Sequence, residues 1–592
     1  MIMIHYKEIE QNLQQEYFIL KSKKSKLGNI RLGFFALGSV LFYFYATSTN
    51  NLYLILSILF FVTLIILIIK TSKIVAQLEY TTQALEIIQQ IKLDDTTDLF
   101  VTDNDKFDNI FNKDLDILEE NSLFNRINKT QTRIGSLQLK NFLSTPLLNR
   151  EEITNRQKSF AELAKKHDWI IKFLTYAKRL NINETSIFKY EKRVFVNLSI
   201  RFIPLVISII NFSTFLYLII SKSNTKAYFY WLLVAFIVGV LINFIFKKQI
   251  RKVSAYTTMK ADELVNLFEI FNHIEKEDFE AYLNKSIQQK FNHQNQKSSE
   301  LIKAISLSKE AIEASYFPLV GFILDNLFLW RLYYSIQFED RIQRTVELLK
   351  PWLEELSKME AFISFAIFNN KFQNFNTPII VEQPFLFELK DAYHPLLKEN
   401  KATKNSFENQ YCNNIAIITG ANMAGKSTFL RTVGTNLVLA MNGANVSANE
   451  MKFYPMELFT SIRTVDNLSS GDSYFKNEIN KLRILIDCLA SNKPQFIILD
   501  EILKGTNSED KLIGSRKFLE KLIKSPTKLI GFIATHDLEL TKMEIEYPNH
   551  ITNYCFELKN VNNQYFSDYI LRKGTTKTMN ALYLMKQFNI ID

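Results

Sequence analysis

The block Gly420-Ala421-Asn422-Met423-Ala424-Gly425-Lys426-Ser427 fits the pattern G-x-x-x-x-G-K-[ST]. Chemistry explains each fixed position. Gly420 and Gly425 let the backbone turn so that its N–H groups converge on phosphate oxygens. Lys426 places an ammonium against β- and γ-phosphates, and Ser427 offers a hydroxyl to Mg²⁺. The candidate nucleotide segment therefore runs from Gly420 to Thr428, with ATP and Mg²⁺ as its ligands. About seventy residues on, Phe496-Ile497-Ile498-Leu499 ends in Asp500-Glu501. An apolar run ending in two acids is common, but its distance from a phosphate loop gives both carboxylates a use. Asp500 is expected to hold the hydration shell of Mg²⁺, and Glu501 to polarise a water attacking the γ-phosphate. His536 follows the apolar run Leu529–Ala534. It either senses the γ-phosphate or orders the loop Thr535–Leu538.

These residues need a scaffold. Ile415–Ile418 before the loop and Thr428–Leu439 after it supply a strand and a helix. From near Asn374 onward, short apolar runs (Pro378–Val381, Ile415–Thr419, Phe496–Leu499, Leu529–Ala534) alternate with helical stretches, as in an α/β domain with a buried sheet. This P-loop ATPase domain is placed at 375–592. Upstream, Asn121–Leu148 and Glu151–Tyr176, divided at Pro146, read as helix, as do Ala255–Glu310 and Arg341–Phe368. Pro351 is expected to break or restart the last of these.

Four apolar stretches interrupt this plan. Leu32–Ala46 and Leu52–Ile69 form one pair, and Ile203–Ile220 and Tyr230–Phe246 a second. Each pair has the length of a membrane hairpin, and the alternative is a set of buried helices in a large soluble domain. Lys and Arg cluster outside each pair, while the turn Thr47–Asn51 is uncharged and the second turn carries only Lys222 and Lys226, which puts both termini and the ATPase on the cytoplasmic side. The fold class expected is multi-domain. A basic cytoplasmic N-terminus (1–30) precedes a transmembrane hairpin (31–70) and a linker (71–111). A helical core and lever domain (112–374) follows, interrupted by the second hairpin (203–246), and then the ATPase domain. The chain would be a multi-pass protein of the cytoplasmic (inner) membrane. Phe317–Leu329, interrupted by Asp325, reads as a soluble core helix. Met1–Gly28 carries charges of both signs and does not read as a cleaved signal. The formal charge of +10 suits nucleic acid or an anionic membrane surface. The three cysteines, Cys412, Cys488 and Cys555, are too far apart to suggest a zinc cluster or a disulfide framework.

The segment TGANMAGKSTFL (Thr419–Leu430) resembles the P-loop of the MutS family of DNA mismatch-repair proteins, whose Asn and Met correspond to Asn422 and Met423. Ala421 and Ala424 stand where that family has Pro and Gly. DEILKGT (Asp500–Thr506) is similar to its acidic-pair segment, with Lys504 in place of Arg. Thr535–His536 matches its switch histidine and Tyr393–Leu396 its segment ahead of the P-loop. Ser470–Phe475 with Glu478 resembles its signature loop. That likeness implies that Ser473 reaches a nucleotide held by the partner subunit, so ATP sites would be completed in trans in a homodimer. Taken by itself Ser473 is a helix-start serine.

The resemblance covers about 112–592. The first hairpin fills the place where a mismatch-reading domain would stand, and a Phe-x-Glu wedge has no place. The expectation is a dimeric, membrane-anchored ATPase with helical levers, binding DNA weakly and without mismatch preference, or engaging an unidentified protein partner. A tethered mismatch or branched-DNA repair protein is the second reading. A membrane assembly or transport factor is the third, though spans free of Asp, Glu, Lys and Arg offer no ion relay.

Overall fold

The computed structural model describes residues 2–48, 50–93, 109–180, 192–221, 225–256, 261–293, 296–316, 318–372, 374–383, 385–462, 474–491, 493–503, 507–561 and 564–576. Its first half is helical. α1 (Ile2–Ser48) and α2 (Asn51–Lys92) pack as an antiparallel pair, and Asn50 caps α2 by accepting from Leu52 N at 3.0 Å. Leu32, Phe35, Ile55 and Ile66 of the upper part are exposed. Lower down, Thr81, Ala84, Ile87, Ile88 and Ile91 form a buried face at helical spacing. That face carries α2 into the expected 71–111 linker, of which 71–92 is helix. The basic N-terminus is likewise part of α1, and Lys92 pairs with Glu10 across the hairpin.

Two short helices, α3 (Ile110–Asp114) and α4 (Leu123–Ile127), lead into α5 (Arg133–Ser144), α6 (Arg150–Leu163) and α7 (His167–Lys178). Thr132 caps α5 and Asn149 caps α6. The second apolar pair follows as α8 (Leu198–Ile220) and α9 (Thr225–Ser254). Then come α10 (Ala261–Lys276), α11 (Tyr282–Lys290), a ribbon of β1 (Asn292–His293) and β2 (Gln296–Lys297), α12 (Ser298–Ala314), α13 (Pro318–Phe328) and α14 (Trp330–Lys371). Among the described residues, four helices, α1, α2, α8 and α9, are long and apolar enough to cross a membrane.

Two expectations are corrected. α14 runs unbroken through Pro351, which lies on its exposed face. The carbonyl one turn back belongs to exposed Glu347, where water can satisfy the bond that proline removes. α13 is not a core helix. It docks on α8 and α9, with Asn211 Nδ2 donating to Leu327 O and Asn243 Nδ2 to Asp325 O, both at 2.7 Å, and leaves Phe322 and Ile323 exposed.

The second half begins with β3 (Ile379–Ile380), β4 (Phe387–Ala392) and β5 (Asn405–Asn409). β6 (Asn414–Gly420), α15 (Lys426–Met441), β7 (Glu450–Phe453) and β8 (Glu457–Ser461) follow, then α16 (Tyr474–Ala490), β9 (Gln495–Asp500) and α17 (Ser508–Ile523). β10 (Leu529–Ala534), α18 (Met543–Glu546), β11 (Ile551–Val561) and β12 (Gln564–Lys573) complete it. The strands make a small sheet ordered β3-β7-β4-β5 and a larger one ordered β12-β11-β6-β10-β9-β8. β6 and β10 are buried throughout, as parallel strands covered on both faces must be.

Candidate nucleotide site

Strand register assembles the site. β10 lies between β6 and β9, parallel to both, and Ala534 pairs with Ile418 on one side and Asp500 on the other. The chain leaving each strand therefore arrives at one carboxyl edge, where parallel sheets bind ligands. Gly420, Asp500-Glu501 and His536 meet there, although they are far apart in sequence.

The loop after β6 turns into α15 at Gly425, whose φ of +113° lies in a region that residues with a Cβ rarely enter. A Cβ there would also come within 3.1 Å of the Tyr569 ring. Lys426 is buried, and its ammonium donates to Gly420 O at 2.8 Å and Ala421 O at 3.0 Å. The cation is thus held at the mouth of the loop by its own carbonyls. Asn422, Ser427 and Thr428 are exposed, and Met423 is 87% exposed at φ +64°.

Ser427 Oγ donates to Asp500 Oδ2 at 2.5 Å. A hydroxyl and a carboxylate converging in this way are the hard oxygen donors that Mg²⁺ takes, with phosphate and water completing six positions. The residues fit that ion. Glu501 has φ +59°, with its N–H donating to Ala534 O at 2.9 Å. Its Oε1 lies 3.0 Å from His536 Nε2, which stands 3.2 Å from Lys426 Nζ. In one tautomer the imidazole donates to the carboxylate, and in the other it accepts from the ammonium. Carboxylate, imidazole and ammonium thus form one chain of contacts. Leu503, also at positive φ, donates its N–H to buried Glu478 Oε1 at 2.5 Å, which fastens the acidic-pair loop to α16. Ser473 and residues 504–506 lie outside the described residues.

Beside the loop is a cavity of about 310 Å³ lined by Lys401, Thr403, Asn405, Thr428, Phe429 and Tyr569, among others. It adjoins the phosphate loop and is large enough for a base and ribose. Lys401, Thr403, Asn405 and Tyr569 were not foreseen. Their one local signal was the neighbouring Tyr393–Leu396 segment, since the pocket depends on Asn405 Nδ2 donating to Tyr569 O at 2.9 Å across 164 residues. His394 in the same wall is buried, which pushes its pKa down to about 4, assisted by Arg431. It therefore stays neutral at ordinary pH.

Comparison with known proteins agrees with this geometry. Residues 416–590 match the family model described as MutS domain V, and residues 80–203 that of MutS domain III. The domain III match begins inside α2, upstream of 112, and ends at the start of α8. A DNA mismatch repair protein MutS of Thermotoga sp. (strain RQ2) is 31% identical over 214 residues, covering 35% of this chain and 26% of that protein. MutS protein homolog 4 of Homo sapiens is 32% identical over 202 residues, covering 32% of this chain and 21% of the relative. The aligned part is thus about a quarter of these relatives' length.

Proposed function

The chain belongs to the MutS family, and from that premise we propose a membrane-anchored, dimeric ATPase whose turnover moves the helical levers. The observation carrying this reading is the convergence of Ser427 with Asp500, and of Glu501 with His536 and Lys426, on one sheet edge. Lys426 would exchange its carbonyl partners for β- and γ-phosphate oxygens, a swap that costs little because the ammonium is already at the loop mouth. Ser427 and Asp500 would hold Mg²⁺, which when bound neutralises charge on the phosphates. Glu501 would align a water for in-line attack and accept its proton, and His536 would fix the carboxylate's orientation and register the γ-phosphate. Ser473 would complete the partner's site, which makes the homodimer the working unit.

Anchoring rests on α1, α2, α8 and α9, whose upper faces leave Leu32, Ile55, Ile209 and Phe244 exposed. Covering such faces with lipid removes the cost of hydrating them. Because α2 is continuous into the helical core, the anchor is a stiff one. The inner membrane is the expected location, with the ATPase in the cytoplasm.

The matched relatives named as DNA mismatch repair proteins favour a role near DNA. Their likeness here is confined to part of their length, so we infer weak, mismatch-indifferent DNA contact, with a protein partner as the other candidate. Fractionation with alkaline washing, followed by phosphate-release assay of the washed membranes, tests the proposal. Retention with Mg²⁺-dependent hydrolysis is expected. Full recovery in the soluble fraction would sink the anchoring, and absence of hydrolysis by the purified chain would sink the ATPase.

A further inference from the structure

α9 changes character at Phe246. Tyr230–Phe246 carries no charge, and Lys247, Lys248, Arg251 and Lys252 follow at once. A cavity of about 520 Å³ straddles that boundary, between α9, α13 and the start of α14. Its walls are held closely. A Cβ on Gly239 would fall 1.8 Å from Asn326 O, so only glycine lets α13 lie this close to α9. Arg331 donates to Asp325 Oδ2 at 2.7 Å and to Ser315 Oγ at 2.9 Å, and its guanidinium sits 4.7 Å over the Tyr316 ring. Arg331 and Asp325 therefore satisfy each other and brace the wall.

Lys247 and Arg251, one turn apart on α9, also line the cavity, and both are exposed. Among the described residues lining it, Asp325 is the one carboxylate. The opposite rim, on α13, carries Phe322, which is 58% exposed, and on α9 itself the turn before the cations exposes Phe244 and Ile245. Cations on one side and bare hydrocarbon on the other match an amphiphile at the headgroup level of a bilayer better than a free anion or a nucleic-acid backbone.

We propose that this cavity seats the phosphate of an anionic phospholipid, with Lys247 and Arg251 holding the headgroup and Phe322 lying along its acyl portion. The proposal rests on the membrane-anchored reading above. A zwitterionic choline lipid carries the same phosphate, but its trimethylammonium opposes Lys247 and Arg251, so the two cations favour a net anionic headgroup by about tenfold or more.

The test uses the full chain reconstituted in vesicles of phosphatidylcholine alone or mixed with phosphatidylglycerol, then extracted for native mass spectrometry. Lys247→Gln/Arg251→Gln removes the lining cations, and Lys248→Gln/Lys252→Gln removes equal charge from the same helix outside the cavity. The parent and the second variant are expected to retain phosphatidylglycerol, and the first variant to lose it about tenfold. Equal loss in both variants, retention of phosphatidylcholine as well as phosphatidylglycerol, or displacement by inorganic phosphate would each overturn the proposal. Flotation with neutral vesicles separates the two ideas. A chain that floats without headgroup preference loses this site and keeps its anchor, whereas one that does not float loses both.

Discussion

Asp116 Oδ2 accepts a hydrogen bond from Arg431 Nη1 at 3.0 Å, joining a loop of the helical half to the helix that follows the phosphate loop. The neighbouring residues strengthen this junction. Asp114 Oδ2 accepts from Thr460 Oγ1 at 2.8 Å and from Ile462 N at 3.0 Å. Leu115 lies so close to Gly434 of α15 that a Cβ there would come within 2.7 Å of it. Residues 114–116 thus sit where the helical half meets α15 and the end of β8.

A double-mutant cycle measures the junction. Asp116→Asn and Arg431→Gln should couple by roughly 1 kcal/mol in thermal or denaturant unfolding, a modest value because both side chains are 22% exposed and solvent screens them. Strict additivity of the two changes would mean that the ion pair carries no load.

Glu360 supplies a pH dependence. It is fully buried on α14, which raises its pKa from 4.5 to about 7 although Thr132 and Gln131 donate to it. The folded state therefore holds a proton that the unfolded chain releases at lower pH. Its contribution to stability is full below about 4.5 and is lost as pH rises through about 7. Glu360→Gln keeps the shape and cannot ionise, so the parent's stability should fall relative to the variant across that window. A difference that stays constant with pH in thermal unfolding would contradict the assignment.

The strands that carry chemistry were legible because each is a continuous apolar run directly preceding its polar residues, as Ile415–Ile418 precedes Gly420. β4 (FELKDA) and β5 (NSFEN) escaped notice because they belong to the smaller sheet and bury only alternate residues among charges. The P-loop, the acidic pair and His536 could be placed from local pattern. The pocket beside the loop could not, since Asn405 and Tyr569 meet only through tertiary pairing. Glu360 and Thr132, 228 residues apart, are a similar case. Pro351 misled for a different reason: the carbonyl it frees belongs to exposed Glu347, where water can replace the lost bond, and α14 continues.

The composite-site proposal is tested by mixing subunits. Ser473→Ala alone should slow turnover while leaving nucleotide binding near normal, and Lys426→Ala should abolish both. If Ser473 serves the partner's nucleotide, mixed dimers regain about one working site, because both lesions fall in the same site. If it serves its own chain, mixing restores nothing.

DNA contact should be weak and indifferent to mismatches. Discriminating a mismatch needs a wedge that enters a deformable step, and the parts of this chain that match the family are its domains III and V. Titration of the detergent-solubilised dimer with homoduplex, mismatched and branched DNA at two salt concentrations should give similar, salt-sensitive affinities. A mismatch preference above about tenfold would restore the repair reading, and no binding at all would point to a protein partner.

Glu501→Gln is the most direct test of the account, because it removes the proposed base and leaves the Ser427–Asp500 pair and Lys426 in place. Single-turnover hydrolysis of Mg²⁺·ATP, measured beside binding of a fluorescent nucleotide, separates chemistry from affinity. The account predicts turnover reduced about a hundredfold or more with binding largely retained. Turnover equal to that of the parent chain would contradict it.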